Sequence, residues 1–279
     1  MRPLEANSQG SLDLTDRYQL ACDIAWEAGE RALDHFRNRS NLTVECKGLQ
    51  DEVSNADRDV ESLIRERIAQ TFPDDGFLGE ESGGNAANEF SKQQVIWVVD
   101  PIDGTSMFLN GMYTWCVSVA VLVDGEVAIG AIFDPNTKEL FHAARGHGAY
   151  LNCDAISPSH ESDVRDGIVG VGFSHRVKTD TFIPFLNRLL ESGGMFIRNG
   201  SGALMIAYVA AGRLLGYYEP HINAWDCLAG IAILKEAGGL VSNFLDNDGL
   251  RKGNPILVSG IAIRPRLIRM ISPGDLRCA

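Results

Sequence analysis

Residues 95–105 read VIWVVDPIDGT, an apolar run that ends in two aspartates. The β-branched residues at its start predict a buried β-strand that is covered on both faces. Pro101 lacks a backbone donor, so we expect the strand to stop at Asp100. Gly104 permits a tight turn directly afterwards. The sequence therefore predicts that Asp100 and Asp103 share a short rigid turn at a strand end, where α/β proteins often carry their chemistry.

The two aspartates of this turn predict a metal site. Like charges about 4 Å apart repel by roughly 4 kcal/mol at an effective dielectric near 20. A cation removes that cost, and ligand sets made only of oxygen favour Mg²⁺, Mn²⁺ or Ca²⁺. Two further acids fall at the ends of predicted elements, Glu80 after a short strand and Asp226 in the first turn of a helix. Each acid alone is readily explained as a surface charge or a cap, whereas four at such positions favour a shared metal site.

The composition limits the class of protein. The chain has 279 residues, with 25 basic and 37 acidic side chains and a net charge of −12. This balance argues against nucleic acid or an anionic membrane as the main partner. The six cysteines form no CxxC pair, which argues against a zinc site or a disulfide framework and favours a cytoplasmic location. No apolar run reaches the roughly 18 residues of a membrane span, and residues 1–10 lack the apolar stretch of a signal peptide.

Residues 1–152 are expected to form an N-terminal half that carries the metal-binding motifs. Apolar spacing predicts helices over residues 14–36 and from Asn55 onward, separated by a polar loop or hairpin. Asp57 lies in the first turn of the second helix, where a carboxylate interacts favourably with the helix dipole. Residues 115–143 predict an antiparallel meander of three strands. We expect the meander to cover one face of a sheet whose other face carries the two helices.

Residues 153–279 are expected to form a C-terminal half that completes the active site. Predicted strands alternate with helices there, which indicates a second α/β sheet. The helix over residues 225–237 is expected to be capped by Asn223 and ended by Gly238. Asp226 lies in its first turn, beside free backbone N–H groups that can hold a phosphate oxygen.

Four segments resemble the inositol monophosphatase family. They are residues 79–82 (GEES), 97–105 (WVVDPIDGT), 225–230 (WDCLAG) and 236–239 (EAGG), in the family's order. The resemblance implies an α+β / α/β protein with the layered αβαβα sandwich of the sugar-phosphatase type. It further implies a Mg²⁺-dependent, lithium-sensitive phosphatase that acts on a small phosphorylated metabolite and forms a homodimer. It also implies that Asp226 meets the other acids, which spacing in the sequence cannot show.

The resemblance implies two or three Mg²⁺ ions in each site. Glu80, Asp100 and the main-chain carbonyl of Ile102 would hold the first ion. Asp100, Asp103 and Asp226 would hold the second. Glu80 would also contribute to a third ion that binds more weakly.

Further roles implied by the resemblance concern the attacking water and the substrate. Asp57 and Thr105 would orient and deprotonate the water, with Glu80 as a further catalytic group. The residues implied in substrate binding are Gly104 and Thr105 through their backbone N–H groups, Glu219 through substrate hydroxyls, Ala203 through its backbone, and Lys47 on a mobile loop that closes over the metals.

Two positions depart from the pattern of many family members. After the GT pair, residues 106–108 read SMF where many members have TNF, so that Met107 replaces Asn, and His221 stands where many have Gly shortly before the WD motif. Both positions are expected to border the substrate pocket. They therefore bear on the identity of the substrate and leave the metal site intact.

An inositol monophosphate is the expected substrate, with histidinol phosphate as the nearest alternative. Glu219 can accept hydrogen bonds from neighbouring ring hydroxyls or pair with an ammonium group. Nucleotide or fructose bisphosphates fit less well, because a second phosphate needs a basic pocket for which only Lys47, Arg198 and Arg213 are candidates. A haloacid-dehalogenase phosphatase is disfavoured. In those enzymes one residue lies between the two aspartates of the motif, whereas two residues lie between Asp100 and Asp103. The alternative of another class is a non-catalytic metal-binding regulatory protein, against which the complete set of acids argues.

Overall fold

Residues 14–48, 51–82 and 94–271 are described by the structure, a computed structural model. The helices are α1 (Thr15–Arg37), α2 (Asn55–Thr71), α3 (Thr105–Leu109), α4 (Ile183–Glu191), α5 (Gly202–Ala210), α6 (Ala224–Glu236), α7 (Gly249–Lys252) and α8 (Arg264–Met270). The strands are β1 (Val44–Gly48), β2 (Asp51–Ser54), β3 (Gly76–Gly79), β4 (Val95–Asp103), β5 (Cys116–Val123), β6 (Glu126–Asp134), β7 (Glu139–Ala144), β8 (Ala149–Leu151), β9 (Asp154–Ala155), β10 (Ile168–Val171), β11 (Met195–Ile197), β12 (Gly216–Ile222), β13 (Leu240–Val241) and β14 (Asn254–Ser259).

Strand β4 lies inside a seven-stranded sheet whose order is β3-β4-β5-β6-β7-β8-β9. Side chains of β4 alternate between the two faces of this sheet. Trp97 and Val99 join the core formed with α1 and α2, whereas Ile96 and Val98 join the core formed with α5 and α6. The prediction of a strand covered on both faces is confirmed.

The meander β5–β7 belongs to the same sheet as β4. Strand β5 pairs antiparallel with β4 from Val95↔Val123 to Asp103↔Cys116. The expectation that the meander covers one face of a sheet was therefore wrong, because its backbone groups bond edge to edge with the central strand. The two N-terminal helices do pack on one face of this sheet, as expected.

The central strand does not stop at Asp100. It continues through Pro101 and Ile102 to Asp103, because these two residues form a bulge between the pairs Asp100↔Ser118 and Asp103↔Cys116. A bulge leaves a residue outside the ladder, so the missing N–H of proline costs little there. Since one extra residue reverses the alternation of side chains, the bulge turns Asp103 to the same face of the sheet as Asp100.

A second sheet of five strands has the order β11-β10-β12-β14-β13. Helices α5 and α6 lie between the two sheets, and α4 and α8 cover the far face of the second sheet. The layers therefore follow the αβαβα order that the resemblance implied. The division of the chain at residue 152 stays a prediction. Strand β9, just beyond that point, still pairs with β8 in the first sheet. Among the described residues, no helix has the length and apolar character needed to cross a membrane.

Candidate metal centre and active site

Three acids from distant parts of the chain meet at the C-terminal end of β4. Asp100, Asp103 and Asp226 each offer a carboxylate oxygen, and these atoms all lie within 4.8 Å of one another. The bulge of β4 supplies two of them, and the first turn of α6 supplies the third. Asp100 and Asp103 are buried, while Asp226 is half-buried. The sequence predicted each of these residues, and the structure brings them together.

Glu80 follows the neighbouring strand and lies near this group, although it is not one of the three acids whose oxygens all lie within 4.8 Å of one another. Strand β3 runs parallel to β4, and Gly79 pairs with Val99. The next backbone N–H, that of Glu80, donates to the carbonyl of Val99 at 3.1 Å. The charge of Asp226 acts on the Glu80 carboxyl group, and the charge of Glu80 acts on Asp100. Parallel pairing of the two strands thus places their terminal acids side by side.

Crowding and burial raise the pKa of every acid in this group. Burial is the largest cause for each, followed for Glu80 by the charge of Asp226 and for Asp100 by the charge of Glu80. Burial and the charge of Asp226 raise the pKa of Asp103 to about 7. Each of these shifts expresses the cost of confining several carboxylates away from water. A divalent cation would offset that cost, and a donor set made of carboxylate oxygens fits Mg²⁺.

The position of Asp103 is fixed by the start of helix α5. Its Oδ2 atom accepts hydrogen bonds from the Ser201 hydroxyl at 2.6 Å and from the Ala203 N–H at 2.7 Å. Ala203, expected near the substrate through its backbone, therefore has its N–H directed at a candidate metal ligand. Ser201, which sequence reasoning missed, is buried and also caps α5 by accepting from Leu204 N–H at 3.2 Å. The capping pattern is visible in the sequence, but the contact with Asp103 is not.

Asp57 and Thr105 lie together beside this group. The Thr105 hydroxyl is 3.3 Å from Asp57 Oδ1 and 3.1 Å from the Ile102 carbonyl oxygen, so its proton serves one acceptor at a time. The other oxygen of Asp57 accepts from the N–H and hydroxyl of Ser54, at 2.8 and 2.7 Å. Burial is the main cause that raises the pKa of Asp57. A buried carboxylate within reach of a hydroxyl is the arrangement that a general base requires.

Gly104 shapes the backbone at the start of helix α3. Its φ of 101° lies in the left-handed region, and a Cβ atom there would approach the Thr114 carbonyl oxygen to 2.9 Å. The chain can therefore turn from β4 directly into α3 only with glycine at this position. The turn leaves the first N–H groups of α3 without helical partners, as at any helix start.

Glu219 lies in a pocket of about 50 Å³ next to the acids, between β10, β12 and the start of α5. Tyr217, which sequence reasoning missed, donates its hydroxyl to Glu219 Oε2. Burial raises the pKa of Glu219 to about 8. Arg198 lines the same pocket, and its charge acts on Glu219 in the opposite direction. The remaining wall includes Gly172, where a Cβ atom would come within 2.2 Å of Glu219 Oε2.

Of the three other predicted positions, the structure places one against this pocket. Met107 packs against Gly200, a residue of the pocket wall. His221, which was expected to border the substrate pocket, is not among the residues that line it, and its ring Nε2 lies 2.9 Å from the Lys252 carbonyl oxygen. Lys47 belongs to strand β1 of a two-stranded hairpin whose second strand lies against α3, and its side chain is outside the described part.

Comparison with known proteins agrees with this fold. Residues 13–269 match the model of the inositol monophosphatase family. The Nus factor SuhB of Haemophilus influenzae is 36% identical over 253 residues, which cover 89% of this chain and 93% of that protein. The inositol-1-monophosphatase of Mesorhizobium japonicum is 36% identical over 241 residues, covering 84% of this chain and 90% of that protein.

A solved structure extends the comparison to three dimensions. The extragenic suppressor protein suhB from Bartonella henselae superposes with a TM-score of 0.85 at 34% identity, over 93% of this chain and 99% of that chain. The similarity therefore extends over most of the fold. The chain belongs to the inositol monophosphatase family.

Proposed function

We propose that this chain hydrolyses a small phosphate monoester with Mg²⁺ and water, and that an inositol monophosphate is the substrate it serves best. The observation that carries the proposal is the meeting of Asp226 with Asp100 and Asp103, whose carboxylate oxygens lie within 4.8 Å of one another. Hydrolysis of a phosphate ester requires positive charge near both the attacking and the leaving oxygen. An acidic protein can supply this positive charge by binding Mg²⁺ ions through a set of carboxylate oxygens.

The ligand roles follow the positions of the acids. Glu80, Asp100 and the Ile102 carbonyl would hold one Mg²⁺, with Glu80 also available to a weaker third ion. Asp100, Asp103 and Asp226 would hold the second ion. When bound, Mg²⁺ neutralises charge on the attacking and leaving oxygens and lowers the pKa of water.

The protein's own groups then handle the proton and the phosphate. Thr105 accepts a proton from the attacking water as its own proton passes to Asp57, whose Oδ1 lies 3.3 Å from the threonine hydroxyl. Asp57 is kept in place by Ser54 throughout. The N–H groups of Gly104 and Thr105 orient the phosphate, and Lys47 approaches from the hairpin.

The pocket beside the acids supports a substrate rich in hydroxyl groups. Tyr217 donates to Oε2 of Glu219, which leaves the other carboxylate oxygen to accept from a substrate hydroxyl. A cation, that of Arg198, already lies in this pocket. We therefore expect an inositol monophosphate to be preferred to histidinol phosphate, because the ammonium group of histidinol phosphate would lie near the positive charge of Arg198.

A panel of phosphate-release assays tests the proposal. Inositol 1-phosphate, histidinol phosphate, fructose bisphosphate and adenosine 3′,5′-bisphosphate are compared with Mg²⁺ and with excess chelator. We expect release that depends on Mg²⁺, is fastest with inositol 1-phosphate and falls when lithium is added. Faster release from histidinol phosphate would show that it, and not inositol 1-phosphate, is the preferred substrate. No release from any monoester would contradict the catalytic role.

A regulatory role without catalysis is the second candidate, because a relative that is 36% identical bears the name Nus factor SuhB. The assay panel separates the two roles, since a purely regulatory protein releases no phosphate. A net charge of −12 continues to predict that nucleic acid is not the main partner. The cytoplasmic location and the homodimer also stay predictions.

A further inference from the structure

One face of helix α2 contacts two separate parts of the site. Asp57, Glu61 and Arg65 follow one another at intervals of four residues, so their side chains lie on the same face. Asp57 points to Thr105, as described above. Glu61 and Arg65 point instead to the turn that follows β3 and carries Glu80.

Glu61 is a buried carboxylate bonded to the backbone of that turn. Its side chain is only 5% exposed, and Oε2 accepts a hydrogen bond from the Glu81 N–H at 2.8 Å. Gly79 leaves the space for this contact, because a Cβ atom there would lie 2.3 Å from Glu61 Oε2. Glu61 therefore packs directly against the residues on both sides of Glu80.

Arg65 holds the outer end of the same turn. Its guanidinium group lies 3.8 Å from Glu61 Oε1 and 4.5 Å from the centre of the Phe77 ring. It also donates a hydrogen bond to the Ser82 hydroxyl. Arg65 thus supports the carboxylate of Glu61 and the backbone beyond it.

We propose that Glu61 is a positioning residue for Glu80, because it fixes the turn from the side opposite to β4. On the β4 side, the Glu80 N–H donates to the Val99 carbonyl at 3.1 Å. With the next N–H bonded to Glu61, the backbone on either side of the Glu80 side chain is held in place. The inference rests on the proposed function, in which Glu80 is a Mg²⁺ ligand.

Two substitutions of Glu61 test the role of its acceptor oxygen. Glu61→Met keeps the length of the side chain and removes the acceptor, so Mg²⁺ affinity measured by titration calorimetry should fall roughly 10–100-fold. Glu61→Gln keeps an acceptor oxygen and should restore affinity close to that of the unmodified protein. Gly79→Ala places a methyl group where the Glu61 carboxylate lies, so it should also lower the affinity for Mg²⁺.

Glu236→Met is the matched control. Glu236 also holds a turn, since its carboxylate accepts from the N–H groups of Gly146 and Gly148, each at 3.0 Å. It lies ten residues along α6 from Asp226, about 15 Å away at a rise of 1.5 Å per residue. Its loss should lower the melting temperature while Mg²⁺ affinity stays unchanged.

The outcomes separate this inference from the proposed function. Unchanged Mg²⁺ affinity in both Glu61→Met and Gly79→Ala would overturn the positioning role, as would an equal loss in Glu61→Gln. An unmodified protein that binds Mg²⁺ but hydrolyses no monoester would overturn the proposed function and leave the calorimetric comparison valid. A protein that binds no Mg²⁺ would overturn both.

Discussion

Asp57 and Asp226 occupy equivalent positions on two different helices. Each is the third residue of its helix and accepts a hydrogen bond from the backbone N–H of the capping residue, at 2.8 Å from Ser54 and 3.1 Å from Asn223. One carboxylate oxygen is fixed in this way, and the other remains available to the site. The structural and the catalytic interpretations of these acids are therefore compatible, because the cap is what orients the carboxylate.

The substitution Asp103→Asn tests the two-metal proposal at its centre. An amide oxygen is a weaker ligand for Mg²⁺ than a carboxylate, and the substitution removes one negative charge from the group. We expect phosphate release to fall to the background rate while far-UV circular dichroism stays unchanged. Near-normal turnover would count against a role for Asp103 in metal binding.

Ser201→Ala tests whether the start of α5 positions Asp103. The hydroxyl lies 2.6 Å from Asp103 Oδ2, and its loss leaves the Ala203 N–H at 2.7 Å and the more distant Cys116 thiol at 4.0 Å as donors to that oxygen. We expect roughly tenfold weaker Mg²⁺ binding and a loss of about 1 kcal/mol in stability from the missing cap. Ser242→Ala is the control, because this buried hydroxyl accepts from Leu257 N–H at 3.0 Å in another part of the fold. An equal effect of both changes on Mg²⁺ binding would refute the assignment.

Glu219→Gln tests the recognition of substrate hydroxyls. The change keeps the shape of the side chain but replaces one oxygen with an amide NH2 group, which can donate a hydrogen bond but cannot accept one from a substrate hydroxyl. KM for inositol 1-phosphate should rise, whereas hydrolysis of p-nitrophenyl phosphate, which has no ring hydroxyls, should change little. A similar loss for both substrates would assign Glu219 another role.

The stability of the metal-free protein should depend on pH through Asp103. Its pKa is raised from an ordinary 3.8 to about 7, so the folded state binds this proton more tightly than the unfolded state. The resulting stabilisation is present below about pH 4 and is lost as pH rises through about 7. Above that range, Mg²⁺ replaces the proton as the counter-charge. Thermal shift assays should therefore show a larger increase in melting temperature with Mg²⁺ at pH 8 than at pH 5, and an equal increase would contradict this account.

Local patterns predicted most elements of the fold but not their pairing. The apolar run from Val95 indicated the central strand, and its alternating burial on two faces confirms it. The bulge at Pro101 could not be predicted, because the cost of a missing donor depends on the partner strand. The position of the meander likewise depends on pairing between distant segments, which no local pattern reveals.

The candidate site shows the same division. Acids at element ends were visible in the sequence, and resemblance to a family supplied the expectation that Asp226 joins them. Ser54 could have been recognised from the capping spacing Ser54-Asn55-Ala56-Asp57. The sequence did not reveal three other partners of these acids, Ser201, Tyr217 and Glu61. Each occupies an ordinary position in a helix cap, a strand or a helix, and its contact with the site depends on the tertiary fold.

A crystal structure grown with Mg²⁺, repeated with Mn²⁺ to locate the ions by anomalous scattering, tests the central claim most directly. We predict an ion with oxygens of Asp100, Asp103 and Asp226 at about 2.0–2.2 Å. An ion held by the two β4 aspartates alone, with the Asp226 carboxylate outside its coordination sphere, would contradict the account.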